Sequence, residues 1–333
     1  MRAATLLLAL LCAAPAAAKP QLGPVAPQPI AIEARPVALD RERPERTAFG
    51  ALTFLGGVEL RSPMRAFGGF SGILLDATGR HLVAVSDAGL WLTARVEYER
   101  ERVTGLSAAR IGTLLDGKGK PLIEIKDSDA EAIADAGGGN LFIGFERRHR
   151  IGVFPLGADG VGRQRRLVAL PAAMSKASAN SGIEGLAVLS AGRLKGTLVA
   201  FAENLRDKDG NRRGWLIGGT TAGIALRRLD DHAVTDLAAL SNGDLLVLER
   251  HFTWSTGIRM RIRRIAAADI RPGAIIDGAI LIEAGPTLGI DNMEAMAVHR
   301  DTRGRTVITL MSDDNYNLFQ RTLLLQFRLD EGS

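Results

Sequence analysis

Three glutamates of this sequence stand inside apolar stretches, where a carboxylate is costly unless a partner or an ion neutralises it. They are Glu131 in DAEAIAD, Glu184 in NSGIEGLAVLS and Glu294 in NMEAMAV. Two further apolar stretches carry a polar residue at the corresponding place, Ser71 in FSGILLD and Thr235 in VTDLAAL. Carboxylates that a fold brings together can hold a hard cation or activate water. Glu131, Glu184 and Glu294 are therefore the candidate catalytic residues.

A second set of acids ends the strongly apolar stretch that follows each of these positions. These acids are Asp87, Glu146, Glu203, Glu249 and Asp313. If the two stretches of each pair form an antiparallel hairpin, both sets of residues lie at one edge of the sheet. Ca²⁺ is then the expected ion, because it prefers several oxygen ligands. The predicted metal ligands are Glu131, Glu184, Glu203, Glu294 and Asp313.

Two arginines directly follow acids of the second set, Arg147 in ERRHR and Arg250 in ERH. A guanidinium can bind an anionic group with two parallel hydrogen bonds. Arg147 and Arg250, with the neighbouring His149, are the predicted substrate-binding residues. The alternative is that the arginines form internal ion pairs with the acids, which would make this a purely structural network.

Other catalytic motifs do not occur. The five histidines form no H-E-x-x-H pattern, GGFSGI is not a nucleophile elbow, and there is no phosphate-binding loop. Cys12 is the only cysteine and stands in the N-terminal apolar run. Once that run is removed, disulfides and cysteine nucleophiles are excluded.

The elements that position these residues form a repeat. Its spacing ranges from 51 residues (Glu184 to Thr235) to 60 residues (Ser71 to Glu131). Each copy has an apolar stretch, a turn such as AGGGN or SNGD, a second apolar stretch and, in most copies, two weaker strands. Four antiparallel strands at this period are typical of one blade of a β-propeller. The sequence predicts an all-β fold, a single propeller of five four-stranded blades, with a sixth blade left open.

The last copy is short of one strand before the chain ends. The N-terminal stretch FGALTFLGGVEL is expected to supply it, so that N- and C-terminal strands pair and close the ring. A β-sandwich pair is the alternative architecture, but it does not explain why the anchor residue recurs.

The N-terminus has the anatomy of a secretory signal peptide, with one arginine, an apolar run and the small residues AAA ending at Ala18. Cleavage is expected after Ala18, which predicts a periplasmic or secreted protein with no membrane span after processing. Residues 19–46 are rich in proline, alanine and charge and are predicted to form a flexible leader. Residues 47–330 are then the propeller domain.

The formal net charge is +5, but acids are interspersed with the cations, as in YERERV. This mixed pattern is typical of a solvated surface and argues against nucleic-acid binding. The expected partner is a small anionic or ester substrate, bound by a monomer.

Several stretches together resemble the phytase-like family, whose members are often described as having esterase-like activity of phytase. They are FGGFSGILLDATGRHLVAVSDAGLWLTARV, LFIGFERRHRIGVF, LLVLERHF and the segment from DNMEAMAVHRD to RTLLLQF. The resemblance extends over residues 49–329. It implies an exported β-propeller that hydrolyses phosphate or carboxylic esters, and it supplies no catalytic motif. The histidine acid phosphatase motif R-H-G-x-R-x-P is absent.

The leading interpretation is a metal-assisted hydrolase of phosphate or carboxylic esters. Two alternatives stay open at this point, a periplasmic propeller that binds a ligand or partner without catalysis, and a Ca²⁺-dependent lactonase. The fold alone cannot choose among them, because one scaffold hosts unrelated functions.

Overall fold

The computed structural model describes residues 22–175, 177–178 and 182–330. The signal peptide predicted at residues 1–18 lies outside the described residues. None of the helices in the described ranges has the length and apolarity that a membrane crossing requires.

The described chain is built almost entirely of β-strands. The four N-terminal strands are β1 (Gln28–Pro29), β2 (Glu33–Val37), β3 (Ala48–Phe49) and β4 (Leu52–Arg61). The first repeat contains β5 (Phe70–Leu75), β6 (His81–Ser86), β7 (Leu90–Glu99) and β8 (Arg102–Thr113). The second contains helix α1 (Ile125–Ser128), β9 (Ala130–Gly137), β10 (Asn140–Phe145), β11 (Arg150–Gly157), β12 (Gly160–Val161) and β13 (Arg166–Val168).

The remaining three repeats follow the same plan. The third contains helix α2 (Ala172–Ser175), β14 (Ile183–Val188), β15 (Leu198–Arg206), β16 (Arg212–Ile217) and β17 (Ala222–Leu226). The fourth contains β18 (Ala233–Ala239), β19 (Leu245–Thr253), β20 (Gly257–Ile265), a 3₁₀ turn (Ala267–Asp269), β21 (Ile275–Ile276) and β22 (Ala279–Ala284). The fifth contains β23 (Met293–Arg300), β24 (Thr306–Ser312) and β25 (Thr322–Leu329).

These strands form five sheets, and all but one of the strand pairs are antiparallel; the exception is β17 with β21. The first strands of the five repeats contact one another in the order β5, β9, β14, β18 and β23, and β23 contacts β5 in turn. The fold is therefore a five-bladed β-propeller, which confirms the five-blade prediction. The sheets contain between four and six strands, because short edge strands are added to several blades.

The fifth sheet takes strands from both ends of the chain, in the order β2, β4, β25, β24, β23. Strand β4 runs antiparallel to β25, with Leu60 opposite Thr322 and Leu52 opposite Leu329. The stretch FGALTFLGGVEL thus lies where the short last repeat needs a further strand.

Part of the segment predicted to be a flexible leader also pairs with the propeller. Strand β1 pairs with β8, β2 pairs with β4, and the side chain of Leu39 is buried. The composition of the segment could not reveal that it forms strands, because one of the strands it pairs with, β8, lies far away in the sequence.

The hydrophobic core is divided into five clusters, and each cluster joins two neighbouring blades. One of them packs Phe70 and Ile73 of the first blade against Ala295 and Met311 of the fifth. Burying one such large side chain stabilises the fold by about 1.5–3 kcal/mol. Packing between blades, rather than within them, therefore holds the ring together and places the edges of the five first strands around one axis.

Candidate functional site

A β-bulge occurs at the anchor position of every blade. The pairing between the first and second strands skips one residue of the first strand each time. The skipped residues are Ser71, Glu131, Glu184, Thr235 and Glu294. A bulge leaves one residue outside the ladder and re-aims its side chain, which is why such features occur next to active sites. The repeated bulge explains how three glutamates are tolerated in otherwise apolar strands.

A second position is also equivalent in all blades, at the end of the second strand. In four blades the backbone N–H of an acid donates to the carbonyl oxygen of the residue two before the anchor. These bonds are Asp87 to Gly69 (3.0 Å), Glu146 to Asp129 (2.8 Å), Glu203 to Gly182 (3.0 Å) and Asp313 to Asn292 (2.9 Å). In the fourth blade the register instead pairs Arg250 with Ala233. The fourth blade therefore contributes a cation where the other four contribute a carboxylate.

This register corrects the expectation that Glu249 belongs to the set of acids at the mouth. Glu249 lies one position earlier in the strand, is buried, and is bound by two buried arginines. Arg261 Nε donates to Glu249 Oε2 at 2.7 Å, and Arg263 Nη2 donates to Oε1 at 2.9 Å. Glu249 is thus the centre of an ion network inside the fourth blade.

The acids of the second and third blades form two overlapping clusters. The carboxylate oxygens of Asp129, Glu131 and Glu146 lie within 4.8 Å of one another, and so do those of Glu146, Glu184 and Glu203. Glu146 belongs to both clusters, and its Oε1 accepts a hydrogen bond from the backbone of Gly182 at 3.1 Å. Several carboxylate oxygens at this spacing are the donor set that a hard divalent cation prefers. We name these five acids the carboxylate mouth.

Burial and mutual repulsion make full ionisation of these acids unfavourable. Burial raises the pKa of Glu184 well above its ordinary value, and the nearby charges of Glu131 and Glu203 add to the rise. The pKa of Asp313 is likewise raised, first by burial and then by the charge of Glu294. Burial also raises the pKa of Glu203. A bound cation or a shared proton would relieve this repulsion.

The structure places the predicted metal ligands in two groups. Glu131, Glu184 and Glu203 belong to the carboxylate mouth, whereas Glu294 and Asp313 stand beside it on the fifth blade. Glu294 accepts a hydrogen bond from Asn292 Nδ2 at 2.9 Å and forms an ion pair with Arg250 Nη2 at 3.2 Å.

The predicted substrate-binding residues differ in their surroundings. Arg147 forms an ion pair with the buried Asp129, and Arg250 forms the pair with Glu294. His149 Nε2 lies 2.9 Å from the carbonyl oxygen of Ser178. Both arginines therefore form ion pairs with acids of the protein. This is the arrangement expected from the alternative interpretation, in which the arginines and acids form an internal network.

Sequence reasoning misses two members of the carboxylate mouth as ligands, Asp129 and Glu146. The sequence marks Glu146 as a strand-end acid, but its place in both clusters depends on the close approach of the second and third blades. Asp129 has a weaker signal, since it precedes Glu131 by two residues just as Asn292 precedes Glu294.

A loop of the fifth blade that follows Asp313 packs against the first blade. Asp314 Oδ1 accepts a hydrogen bond from Gly69 N at 2.9 Å, and the hydroxyl of the half-buried Tyr316 lies 3.1 Å from Ser86 Oγ. Gly69 has φ +65°, and a Cβ there would lie 2.4 Å from Asp87 Oδ1. Glycine is therefore required where this loop of the fifth blade meets the first blade.

Asp236, beside the anchor Thr235, connects the fourth and fifth blades. Its buried carboxylate accepts hydrogen bonds from the backbone N–H of Leu237 and of Met296, both at 2.7 Å. Met296 follows Glu294 by two residues in β23, so this contact also fixes the strand that carries Glu294. Asp236 therefore has a structural role at the edge of the site.

The fold and the site together define a five-bladed propeller with an acidic mouth. The chain belongs to the Phytase-like family, described as esterase-like activity of phytase, whose family model matches residues 65–316. No curated protein matches the sequence.

Solved structures similar to this chain are propellers of low sequence identity. One is a structural-genomics protein provisionally named a gluconolactonase, with 14% identity, 92% of this chain and 93% of that chain covered, and a TM-score of 0.42. Another is the β-propeller domain of Cps50 (Swd1) from Myceliophteria thermophila, with 6% identity, 88% and 99% covered, and a TM-score of 0.40. The Dos1 propeller has 7% identity, 84% and 76% covered, and a TM-score of 0.37. Likeness at this level carries no information about the reaction.

Proposed function

We propose that this protein is an exported hydrolase of phosphate or carboxylic esters, and that it acts at the carboxylate mouth with a bound divalent cation such as Ca²⁺. The observation that carries the proposal is the pair of overlapping carboxylate clusters that share Glu146. Membership in the Phytase-like family supports ester hydrolysis as the reaction class. The N-terminal apolar run followed by AAA supports export to the periplasm or the medium.

The donor chemistry of the mouth fits a hard cation. Glu131, Glu184 and Glu203 would hold it together with Asp129 and Glu146, because all five offer carboxylate oxygens and none offers nitrogen or sulfur. When bound, such a cation would polarise the phosphoryl or carbonyl oxygen of an ester.

The protein's own groups would supply the proton transfer and the substrate contacts. Burial raises the pKa of Glu184 well above its ordinary value, and a carboxyl shifted in this direction is a candidate general acid or base. Glu294 stands beside the mouth and is held by Arg250 and Asn292, so it is a second candidate for activating water. Arg250 and Arg147 would attract a small anionic substrate to the acid-lined opening.

The test is hydrolysis of matched chromogenic phosphate and acetate esters, and of a lactone, by the purified mature protein. Each substrate is assayed with added Ca²⁺ and with a chelator, for the parent protein and for Glu184→Gln. Asp159→Ala, at an exposed turn of the second blade, is the matched control. We expect turnover to depend on Ca²⁺. Glu184→Gln should lower turnover by at least about 100-fold, which is within the usual range for a general acid or base. The control variant should leave turnover unchanged.

The preferred substrate distinguishes the reaction classes. Faster turnover of the lactone would identify a lactonase, and absence of turnover with all substrates would favour a binding propeller. Activity that persists in the chelator and in Glu184→Gln would refute a role for the carboxylate mouth.

A further inference from the structure

A polar cleft of about 500 Å³ lies against the fourth blade, outside the carboxylate mouth. Its lining includes two histidines from different parts of the blade. His232 precedes β18, and His251 belongs to β19. Asp230, Asp231 and Glu283 also line the cleft. These residues take no part in the function proposed above.

His232 is held in one orientation by a carboxylate that is itself fixed. Asp230 Oδ1 lies 2.7 Å from His232 Nδ1 and accepts the His232 backbone N–H at 3.0 Å. The buried Arg261 binds both oxygens of Asp230, at 2.8 and 2.9 Å. An imidazole that donates its Nδ1–H to a carboxylate presents the lone pair of Nε2, and metal-ligating histidines are commonly oriented in this way.

The second histidine stands at the distance that a shared metal ion requires. The ring centroids of His232 and His251 are 5.3 Å apart, with 36° between the ring planes. Two imidazoles bound to one tetrahedral ion through nitrogens at about 2.05 Å have centroids separated by about 5.2 Å. The separation of the two rings therefore matches the separation in a complex with one shared ion.

Carboxylates stand close to the two rings. Asp230, Asp231 and Glu283 line the cleft together with Arg259, and Asp230 and Asp231 are also paired with Arg261 and Arg228. Asp231 is held in an ion pair with Arg228, whereas Glu283 is 60% exposed and lies 3.7 Å from Arg261 Nη1, so Glu283 is the carboxylate that can rotate toward the rings at little packing cost. Glu283 and a water molecule would complete a four-coordinate site.

We propose that His232 and His251 form a binding site for a divalent transition metal ion of the Zn²⁺ class, distinct from the carboxylate mouth. Imidazole nitrogens suit zinc, cobalt, nickel and copper, whereas Ca²⁺ and Mg²⁺ prefer oxygen donors such as those of the mouth. The bound ion would tie the start of the fourth blade to its second strand.

The test uses Co²⁺ as a spectroscopic probe for the metal-free mature protein, with excess Ca²⁺ present to occupy oxygen-donor sites. We expect one equivalent of Co²⁺ to give the visible absorption of a tetrahedral complex, and Zn²⁺ to displace it. His232→Asn and His251→Asn should each abolish this absorption. Asp230→Asn should weaken Co²⁺ binding by about 10–100-fold, the usual effect of losing the carboxylate behind a metal-bound histidine.

Two control variants distinguish this site from other places where the protein could bind Co²⁺. His81→Asn removes an exposed histidine at the start of β6, in the first blade, whose Nδ1 also lies against a carboxylate, that of Asp76 at 3.0 Å. Glu184→Gln alters the carboxylate mouth. Both should retain the absorption of the parent. Thermal unfolding without metal checks that each variant is folded. If His232→Asn does not fold, His251→Asn alone tests whether the histidines bind the ion.

Three results would overturn the proposal. They are the absence of a tetrahedral spectrum in the parent protein, its persistence in His232→Asn or His251→Asn, and its loss in Glu184→Gln, which would assign the ion to the mouth. Ester hydrolysis is not the readout, so the outcome is independent of the function proposed above.

Discussion

Replacing Asp236 by alanine is expected to loosen the contact between the fourth and fifth blades. The carboxylate is 1% exposed and accepts the backbone N–H groups of Leu237 and Met296. The substitution leaves both donors buried without this acceptor, at about 1–3 kcal/mol for each group. Burial raises the pKa of Asp236 well above its ordinary value, so removing the acid also relieves an unfavourable burial. We therefore expect a net loss of about 2–4 kcal/mol in the free energy of unfolding.

The assay is urea unfolding followed by the fluorescence of the three tryptophans, analysed only where the transition is two-state. Asp159→Ala is the control and should change the free energy of unfolding by no more than about 0.5 kcal/mol, as exposed substitutions usually do. Since Met296 lies two residues after Glu294, ester turnover should fall as well. A loss below about 1 kcal/mol for Asp236→Ala, the size of an ordinary substitution, would refute the reasoning that this carboxylate joins the two blades.

Three further changes test the charges of the site. In the presence of a chelator, the raised pKa of Glu184 means that the folded state binds more protons than the unfolded state, so its contribution to stability must decline as the pH rises above about 4.5. Urea unfolding across pH should show that decline in the parent relative to Glu184→Gln, and parallel curves would contradict it. The positive charge of Arg250 lowers the pKa of Glu203 against the effect of burial, so Arg250→Gln should raise that pKa, move the acid limb of the pH–rate profile to higher pH and raise KM for anionic esters. An unchanged profile would argue against this electrostatic interaction. Glu249→Ala leaves Arg261 and Arg263 buried without the anion between them, and it should lower the free energy of unfolding in urea by about 3–5 kcal/mol. A loss below about 1 kcal/mol, the size of an ordinary substitution, would show that the ion network rearranges around the missing carboxylate.

The repeat is visible in the sequence because it is local. Each blade contains an apolar stretch, a turn and a second apolar stretch, and those patterns predict five blades and the anchors Ser71, Glu131, Glu184, Thr235 and Glu294. Strand content and turn chemistry depend on neighbouring residues, so they can be seen without knowing the partners of a strand.

Strand register is not visible in the same way. The alternation of apolar residues does not reveal that Arg250, rather than Glu249, occupies the position equivalent to Glu203 and Asp313. A shift of one residue in the pairing moves every side chain of a strand to the opposite face of the sheet. Only the pairing of β18 with β19 resolves that shift. The same limit explains why the sequence does not show the role of Glu146 in both carboxylate clusters.

The sequence by itself determined the all-β class and the recurrence of a polar anchor in each first strand, and it favoured five blades while leaving a sixth open. The tertiary structure alone decided which acids share a cluster, which acid each arginine pairs with, and that the rings of His232 and His251 lie 5.3 Å apart although they are 19 positions apart in the sequence. The physical reason is that blade patterns arise from contacts within a few residues, whereas a site arises where several blades meet. Electrostatic interactions fall off with distance in space, and that distance is set by the packing between blades rather than by separation along the chain.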